Sequence, residues 1–436
     1  MTCRFSTSHA LKMLAILLLT CAMVGLGVPA HAEAKGTTRV LFVGNSMTWR
    51  ASVSVTSMLD AIARANGKRL EVDWVTFRGA YLSNYAYAGT GEYKERKTAF
   101  DKKLSSGTWD YIVLQGHSTE GGKNPEIRMY SSIRTLRDRI AKRQPQAEIL
   151  LYATHGYRLP IGSSKADEKT SGSEMQLRTQ SACAVIGKKL GIRVVNAGMY
   201  FQRYLIGNSA PRLLISHDKH PTKAGYYLLA CAFYDALYGK RPSKPVSDLE
   251  GVSKATQLRL MKAVGPSVSI EPAYLTVPIG QSVRIRCKTG GHAYTCKSLD
   301  PDIARVSANG TVRGLKEGRT VVWIQTRSGL RATCEVSVEG DGLREKKLEF
   351  KKSSIMVTAG KQFFPALKVS ETLSDYSLRW TSSNPKVASV EQTGRITAHH
   401  SGKTVLTVND RLSGSTAKLV IRVQSSQKAS LTLSSR

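Results

Sequence analysis

The sequence predicts an α/β domain built on a mainly parallel five-stranded sheet, followed by two small all-β sandwiches. Two features of the sequence predict this arrangement. From Thr37 to about Tyr238, short β-branched runs alternate with longer amphipathic stretches. After Gly239 this alternation stops, and the rest of the chain contains an internal repeat without long helical periods. A chain of 436 residues has room for about two to four domains of this kind.

Five strands and five helices follow from the hydrophobic periods of the first half. The predicted strands are Arg39–Val43, Glu71–Phe77, Tyr111–Gln115, Glu148–Thr154 and Arg193–Asn196, and the predicted helices are Val53–Asn66, Lys94–Leu104, Ile127–Arg143, Glu174–Leu190 and Lys223–Leu237. Strands that alternate with helices favour a parallel sheet covered on both faces, with its ligand site at the carboxyl ends of the strands. Residues 156–172 have no clear period and are predicted to form a surface loop beside that site.

The second half of the chain contains two copies of one module. Pro301–Val306 matches Pro385–Val390 without gaps at an offset of 84 residues, and the alignment continues through the pair Gly310 and Gly394. Each copy has alternating strands separated by glycine turns, which predicts a small β-sandwich.

Residues 267–338 and 346–424 resemble bacterial immunoglobulin-like domains of group 2. The resemblance lies in the Trp380–Pro385 run, the valine-alanine-x-valine strand after it and a later glycine-x-threonine strand. In the first copy Cys296 stands where the second has tryptophan, and Cys287 and Cys334 belong to the same module. A disulfide between two of these three cysteines is expected, and the sequence leaves the pair open.

The first 32 residues have the pattern of an export signal. Arg4 and Lys12 supply positive charge, an apolar run follows, and Ala30-His31-Ala32 offers a small-x-small cleavage site. The apolar run covers about 16 residues, fewer than the roughly 20 that span a bilayer, which favours cleavage over an uncleaved anchor. We therefore expect a secreted or cell-surface protein with no membrane insertion after cleavage. The further predicted parts are the α/β domain at 36–243, a linker with a short helix at 244–266 and a polar tail at 425–436.

The formal net charge of +32 favours anionic partners. In an exported protein these are acidic cell-wall polymers or anionic polysaccharides rather than nucleic acid, because no nucleic-acid motif accompanies the scattered basic residues. A solvated basic surface without a partner explains the same charge equally well. No Cys-x-x-Cys pair or His-rich cluster is present, so neither a metal nor another cofactor is predicted.

Two segments of the α/β domain contain residues suited to catalysis. The first predicted strand leads into Gly44-Asn45-Ser46 before a helix, where a serine hydroxyl lies at the carboxyl edge of the sheet and backbone N–H groups can stabilise an oxyanion. An ordinary turn or a helix cap would use the same residues. Asp218-Lys219-His220-Pro221-Thr222 precedes the last helix of the domain and offers a base that could meet the serine.

Together these segments resemble the SGNH hydrolases, a branch of the GDSL esterase and lipase superfamily, over residues 37–240. The matching features are the glycine-asparagine-serine run at Ser46 and the histidine-proline-threonine run at His220, followed by Gly225-Tyr226-Tyr227-Leu228. The resemblance implies a three-layer α/β/α, flavodoxin-like fold. It also implies that Ser46 attacks an ester carbonyl, that His220 transfers the proton, and that the backbone N–H groups of Ser46 and Gly79 hold the oxyanion.

Two positions depart from the family pattern. The family carries an asparagine as a third oxyanion donor after the third strand. This chain has Gln115, which has the required amide, and Ser118, which has the expected spacing; Gln115 is slightly favoured. The orienting acid normally lies three residues before the histidine, whereas Asp218 lies two before His220. Either Asp218 completes a triad, or a backbone carbonyl orients His220 in a dyad.

The sequence thus predicts a serine esterase that removes acyl groups from carbohydrate or cell-wall polymers. The alternative is a non-catalytic surface or matrix protein that binds acidic polysaccharide or cell wall. For the immunoglobulin-like modules, the sequence leaves open whether they are spacers or bind glycans.

Overall fold

The computed structural model describes most of the chain outside its two ends. The described residues are 36–50, 53–87, 92–118, 120, 129–157, 172–206, 210–215, 218–247, 249–265, 268–340, 348–369, 378–390, 394–410 and 415–425. The predicted export signal, nearly all of the predicted tail and most of the predicted loop 156–172 lie outside these residues. In the described part of the chain, no helix is long and apolar enough to cross a membrane.

Five parallel strands form the sheet of the first domain, in the order β4-β1-β5-β6-β7. The strands of this domain are β1 Thr38–Gly44, β2 Trp49–Arg50, β3 Val53–Ser54, β4 Leu70–Thr76, β5 Tyr111–Gln115, β6 Glu148–Tyr152 and β7 Arg193–Val195, of which β2 and β3 form a separate hairpin. The mainly parallel five-stranded sheet predicted from the sequence is confirmed. The strands occupy the predicted positions and differ only at their ends.

Helices cover both faces of this sheet. They are α1 Val55–Ala65, α2 Leu82–Ala86, α3 Glu92–Leu104, α4 Ser131–Arg143, α5 Gly172–Leu190, α6 Ala197–Leu205 and α7 Lys223–Tyr238, followed by α8 Lys254–Ala263 in the linker. Val40 and Phe42 pack into one hydrophobic cluster with α1 and α7, whereas Leu41 and Val43 pack into another with α3 and α4. Successive side chains of a strand point to opposite faces, so β1 contributes to both cores, and the sheet is the middle layer of a three-layer domain.

Two β-modules follow, and their main sheets repeat one topology. The first module contains β8 Ser269–Glu271, β9 Tyr274–Pro278, β10 Ser282–Arg284, β11 Arg286–Lys288, β12 Tyr294–Ser298, β13 Ala304–Val306, β14 Thr311–Gly314, β15 Gly318–Thr326 and β16 Arg331–Glu339. The second contains β17 Leu348–Phe350, β18 Ser354–Thr358, β19 Gln362–Phe363, β20 Leu367–Val369, β21 Leu378–Ser382, β22 Ala388–Val390, β23 Ile396–Ala398, β24 Gly402–Asp410 and β25 Thr416–Gln424. The sheet order β12-β15-β16-β9 in the first recurs as β21-β24-β25-β18 in the second. Each module therefore has the same sheet pattern.

The two modules differ in how they pack. The second module has a hydrophobic core of its own around Trp380. The core of the first module is continuous with the α/β domain, because its strands β15 and β16 lie against α5. Polar contacts also cross this junction: Gln180 Nε2 donates to the Arg331 carbonyl at 3.0 Å, and Arg331 donates to the Ser173 hydroxyl at 3.0 Å. The first module is thus packed as part of the α/β domain.

The expected disulfide is not formed in this structure. Cys183, Cys231, Cys287, Cys296 and Cys334 all carry free thiols. Burial and the neighbouring Cys287 thiol raise the pKa of Cys296 to about 11. Cys287 and Cys296 are therefore neighbours in the first module.

Candidate active site

The chain turns sharply after β1, and this turn carries Ser46. The backbone N–H of Thr48 donates to the Asn45 carbonyl at 2.9 Å and closes the turn. The residue before it must be glycine, because a Cβ on Gly44 would lie 2.5 Å from Gln115 Oε1. Ser46 is partly exposed between the buried residues Asn45 and Met47. Its hydroxyl therefore lies at the carboxyl edge of the sheet, the position expected from the sequence.

The loop before α7 brings a histidine to this serine. Thr222 caps α7 through its hydroxyl, which accepts the Gly225 N–H at 3.2 Å, so the preceding residues are free to form a loop. Leu214 and Pro221 form an isolated β-bridge at the base of that loop. His220 Nε2 lies 2.9 Å from Ser46 Oγ, although the two residues are 174 positions apart. At this distance the hydroxyl can donate its proton to the ring nitrogen.

The second ring nitrogen of His220 faces a carboxylate. Nδ1 lies 2.7 Å from Asp218 Oδ1, and the same oxygen accepts the backbone N–H of His220 at 3.2 Å. The side chains of His220 and Asp218 are 14% and 25% exposed, so water only partly screens the pair. Asp218 therefore reaches the imidazole of His220 although it lies only two residues before it, because the loop folds the Asp218 side chain back toward the ring.

Gly79 follows β4 at the same edge of the sheet. Its φ angle is +65°, and nothing lies within 4 Å of the position where a Cβ would stand. The backbone is therefore open to a ligand and adopts a conformation that favours glycine. Asn45 connects the loop of Gly79 to the serine turn, since its Nδ2 donates to the Ala80 carbonyl at 2.9 Å.

Gln115 lies in a different place from the one expected of an oxyanion donor. It is fully buried, and its Oε1 accepts the Asn45 N–H at 2.9 Å and the Thr48 hydroxyl at 3.1 Å. Its Nε2 donates to Asn45 Oδ1 at 3.0 Å and to the Gly116 carbonyl. Both amide hydrogens are committed to the protein, so none remains for a substrate. Gln115 supports the serine turn from beneath.

Ser118, the other candidate for the third donor, pairs with a residue that the sequence did not single out. Its Oγ lies 2.9 Å from the hydroxyl oxygen of Tyr157, and both residues are buried. Tyr157 packs against Met47, the residue directly after Ser46. The Ser118–Tyr157 pair therefore lies against the nucleophile turn.

His117 is next to the site but is not placed as a base. Its ring stacks on Tyr81 with centroids 4.4 Å apart, and its backbone N–H donates to Glu120 Oε2 at 2.6 Å. Burial, with a smaller effect of Lys219, lowers the pKa of His117 to about 4. The ring is therefore neutral near pH 7.

Sequence reasoning missed Asn45, Tyr157 and His155, a buried residue just beyond β6. Asn45 stands inside the motif that identified Ser46, and His155 follows a strand at the same edge of the sheet as Gln115. The rule that places ligands at the carboxyl ends of parallel strands could have found both. Among the described residues, no group of three or more His, Cys, Asp or Glu side chains is arranged to hold a metal ion.

Comparisons with known proteins found one family model and several solved structures similar to parts of this chain. The family model "Bacterial Ig-like domain (group 2)" matches residues 349–420, which confirms the resemblance of the second module. No curated protein matches the chain. Among solved structures, a DUF4886 family protein from Bacteroides uniformis is 20% identical, with 52% of this chain and 95% of that chain covered and a TM-score of 0.41.

Two further solved structures belong to the class that the motifs resemble. A candidate SGNH hydrolase from Slackia heliotrinireducens is 22% identical, with 46% of this chain and 100% of that chain covered and a TM-score of 0.36. A candidate GDSL-like lipase from Parabacteroides merdae is 14% identical, with 47% of this chain and 97% of that chain covered and a TM-score of 0.36. This chain is thus similar to structures described as SGNH and GDSL-like proteins over a little under half of its length, and to a bacterial immunoglobulin-like domain at residues 349–420.

Proposed function

We propose that this protein is an SGNH-type serine hydrolase that cleaves carboxylic esters. One observation carries the proposal: His220 lies between Ser46 Oγ at 2.9 Å and Asp218 Oδ1 at 2.7 Å. A serine hydroxyl, an imidazole and a carboxylate in this order form the arrangement that activates a serine nucleophile.

In the proposed reaction Ser46 Oγ attacks the ester carbonyl while His220 Nε2 takes the hydroxyl proton. Asp218 holds Nδ1 protonated and stabilises the imidazolium that forms. The tetrahedral intermediate collapses as His220 returns the proton to the leaving alcohol. Water then attacks the acyl-enzyme by the same route and releases the acid.

The negative oxygen of the tetrahedral intermediate requires nearby donors. The backbone N–H groups of Ser46 and Gly79 are proposed as two of them. Because the Gln115 amide is committed elsewhere, we assign the third donor to the Ser118 hydroxyl. Tyr157 would donate to Ser118 Oγ and leave the serine proton free for the oxyanion, a role consistent with their 2.9 Å separation.

The proposed substrates are acyl groups on carbohydrate or cell-wall polymers, and the proposed location is outside the cell or on its surface. The match of residues 349–420 to a bacterial immunoglobulin-like domain supports the location. The net charge of +32 supports an anionic polymer as partner.

Hydrolysis of p-nitrophenyl acetate by the purified protein tests the proposal. Ser46→Ala is expected to lower turnover by several orders of magnitude, whereas Ser106→Ala, a change at an exposed serine, serves as the matched control. A fluorophosphonate probe should label Ser46 in the wild type. Absence of both labelling and hydrolysis across acetyl, feruloyl and longer acyl esters would refute the enzyme and favour the non-catalytic binding protein.

A further inference from the structure

Two tryptophans from segments that lead to or from the candidate site lie side by side on the surface. The ring centroids of Trp49 and Trp74 are 6.0 Å apart, and the rings are 18° from parallel. They are 36% and 39% exposed, whereas Trp109 and Trp380 are each 5% exposed. A stacked pair of large aromatic rings left in water is a feature of surfaces that bind a ligand.

The two tryptophans stand on two of the segments that build the site. Trp49 is three residues after Ser46, so the two Cα atoms lie within about 11 Å of each other. Trp74 is on β4, an edge strand whose following loop carries Gly79. An ester held at Ser46 that is part of a longer molecule can therefore extend onto the two rings.

The openness of the pair favours one kind of ligand. A pyranose ring can rest a C–H face on an indole while its hydroxyl groups remain in water, so a flat and open aromatic surface suffices. A fatty acyl chain gains most when it is enclosed and removed from water on several sides. On the basis of the proposed esterase function, we propose that Trp49 and Trp74 form a subsite for a pyranose ring of the glycan that carries the ester.

The test compares esters with and without a sugar chain. The substrates are O-acetylated xylo-oligosaccharides and O-acetylated oligosaccharides of N-acetylglucosamine. For Trp49→Ala and Trp74→Ala, kcat/KM on these glycans relative to kcat/KM on p-nitrophenyl acetate should fall about tenfold. Trp323→Ala, in the first β-module, is the control. A ratio within twofold of the wild-type value on both glycans overturns the subsite. A wild type inactive on p-nitrophenyl acetate refutes the proposed function instead.

Direct binding decides the subsite independently of catalysis. Xylo-oligosaccharides or oligosaccharides of N-acetylglucosamine without O-acetyl groups should change the tryptophan fluorescence of the Ser46→Ala protein, because Trp49 and Trp74 are its exposed stacked pair. The additional change Trp74→Ala should reduce that response. If neither oligosaccharide alters the fluorescence of the Ser46→Ala protein, the pair is not a sugar subsite.

A second inference, carried by different observations, concerns His155. This residue is buried beneath the catalytic loop, and its Nε2 lies 2.9 Å from the Lys219 carbonyl oxygen. A carbonyl oxygen can only accept, so Nε2 must carry the proton. Nδ1 has no hydrogen-bond partner within the described residues, and the ring stacks on Phe201 with centroids 4.7 Å apart.

Its surroundings keep this ring neutral. Burial lowers the pKa of His155 to about 4, and the charge of His220 acts in the same direction, against the hydrogen bond to Lys219. Lys219 stands between Asp218 and His220. The hydrogen bond from His155 therefore holds the peptide group that joins Lys219 to His220, one residue after Asp218. We infer that His155 is a positioning residue that fixes the distance between His220 Nε2 and Ser46 Oγ.

The backbone around His155 leaves little room for it to move. Gly198, in α6, packs directly against this segment: a Cβ there would overlap the Thr154 carbonyl oxygen and lie 2.5 Å from His155 Cα. Gly198→Ala should therefore displace His155 without changing its side chain. It provides a second variant that tests the same contact.

His155→Leu removes the donor and should lower kcat about 10- to 100-fold at unchanged KM, because a misplacement of about 1 Å has effects of this size. His155→Gln should recover most of kcat, since its amide can donate to the same carbonyl. Tyr234→Phe, a change at another buried ring of the same core, is the control for general loosening. Equal kcat values for the leucine and glutamine variants, at equal thermal stability, would overturn the positioning role.

Hydrogen exchange provides a readout that does not depend on activity. The N–H groups of Ile215 and Asp218 take part in the hydrogen bonds of the catalytic loop. Their exchange should accelerate in His155→Leu and in Gly198→Ala but not in His155→Gln. Unchanged exchange in the leucine variant would show that His155 does not hold the loop.

Discussion

Replacing Gln115 by leucine tests whether this residue supports the Ser46 turn, as the structure indicates, or donates to the oxyanion, as the sequence predicted. Leucine has a similar volume but no polar atoms, so the change removes the acceptor of the Asn45 N–H and of the Thr48 hydroxyl. A buried donor without a partner costs about 1–3 kcal/mol. The free energy of unfolding should therefore fall by about 2–6 kcal/mol for the two donors, while turnover falls because the Ser46 turn loses its support.

The comparison variant is Gln115→Glu. An ionised carboxylate cannot donate, so one of its oxygens would face Asn45 Oδ1 and the Gly116 carbonyl, both of which accept hydrogen bonds from the native amide. Only a protonated carboxyl group restores a donor. Relative to the wild type at the same pH, Gln115→Glu should therefore be least stable at pH 8 and recover toward pH 5.

Urea unfolding and p-nitrophenyl acetate kinetics, measured on the same preparations, distinguish the roles. A direct oxyanion donor contributes about 10²- to 10³-fold to kcat and little to stability. If Gln115→Leu keeps wild-type stability and loses that factor in kcat, then Gln115 is the third oxyanion donor and our assignment of Ser118 is wrong.

Four further predictions concern other parts of the molecule. Asp218→Asn should lower kcat about 10³- to 10⁴-fold if Asp218 orients His220, whereas a loss below tenfold would indicate a dyad. Because the folded-state pKa values of His117 and His155 are lowered to about 4, the unfolded chain binds more protons between about pH 6.5 and pH 4. The free energy of unfolding should then fall with decreasing pH, by up to about 1.4 kcal/mol per unit for each histidine, and His155→Gln should flatten this dependence in urea titrations. Oxidised glutathione should join Cys287 to Cys296, which are neighbours in the first module, and peptide mapping that finds another pair or three free thiols would contradict this. A chain ending at residue 340 should be soluble and keep esterase activity. A chain ending at residue 243 should aggregate, because it lacks the first module and exposes the part of the α/β core that the module covers. Equal solubility of the two chains would show that the first module folds separately.

The local pattern of the sequence determined most of the fold. The strands of the sheet were predicted because alternating β-branched and amphipathic runs reflect periods of two and 3.6 residues, which need no tertiary information. The short helices Leu82–Ala86 and Ala197–Leu205 were missed because five and nine residues are too few to establish a helical period. The repeated modules were found because their copies align without gaps.

The order of the two motifs also predicted that Ser46 and His220 act together. Ser46 follows a strand and His220 precedes a helix, and both positions were expected at the carboxyl edge of the parallel sheet. The sequence could not determine where the side chains of that edge point. Gln115 was expected to face the substrate. However, the β1–β5 register pairs Val43 with Leu114, and Gln115 then passes beneath the serine turn in the space that Gly44 leaves free.

Tertiary structure also decided the contacts between distant segments. The bend of one loop lets Asp218 reach His220 across an irregular spacing, and His155 meets the Lys219 carbonyl across 64 positions of sequence. The same holds for the first β-module, which has the sequence of a separate unit but shares its core with the α/β domain. Local patterns specify elements and their edges. Which polar groups meet depends on register, loop path and packing, and these exist only in the folded chain.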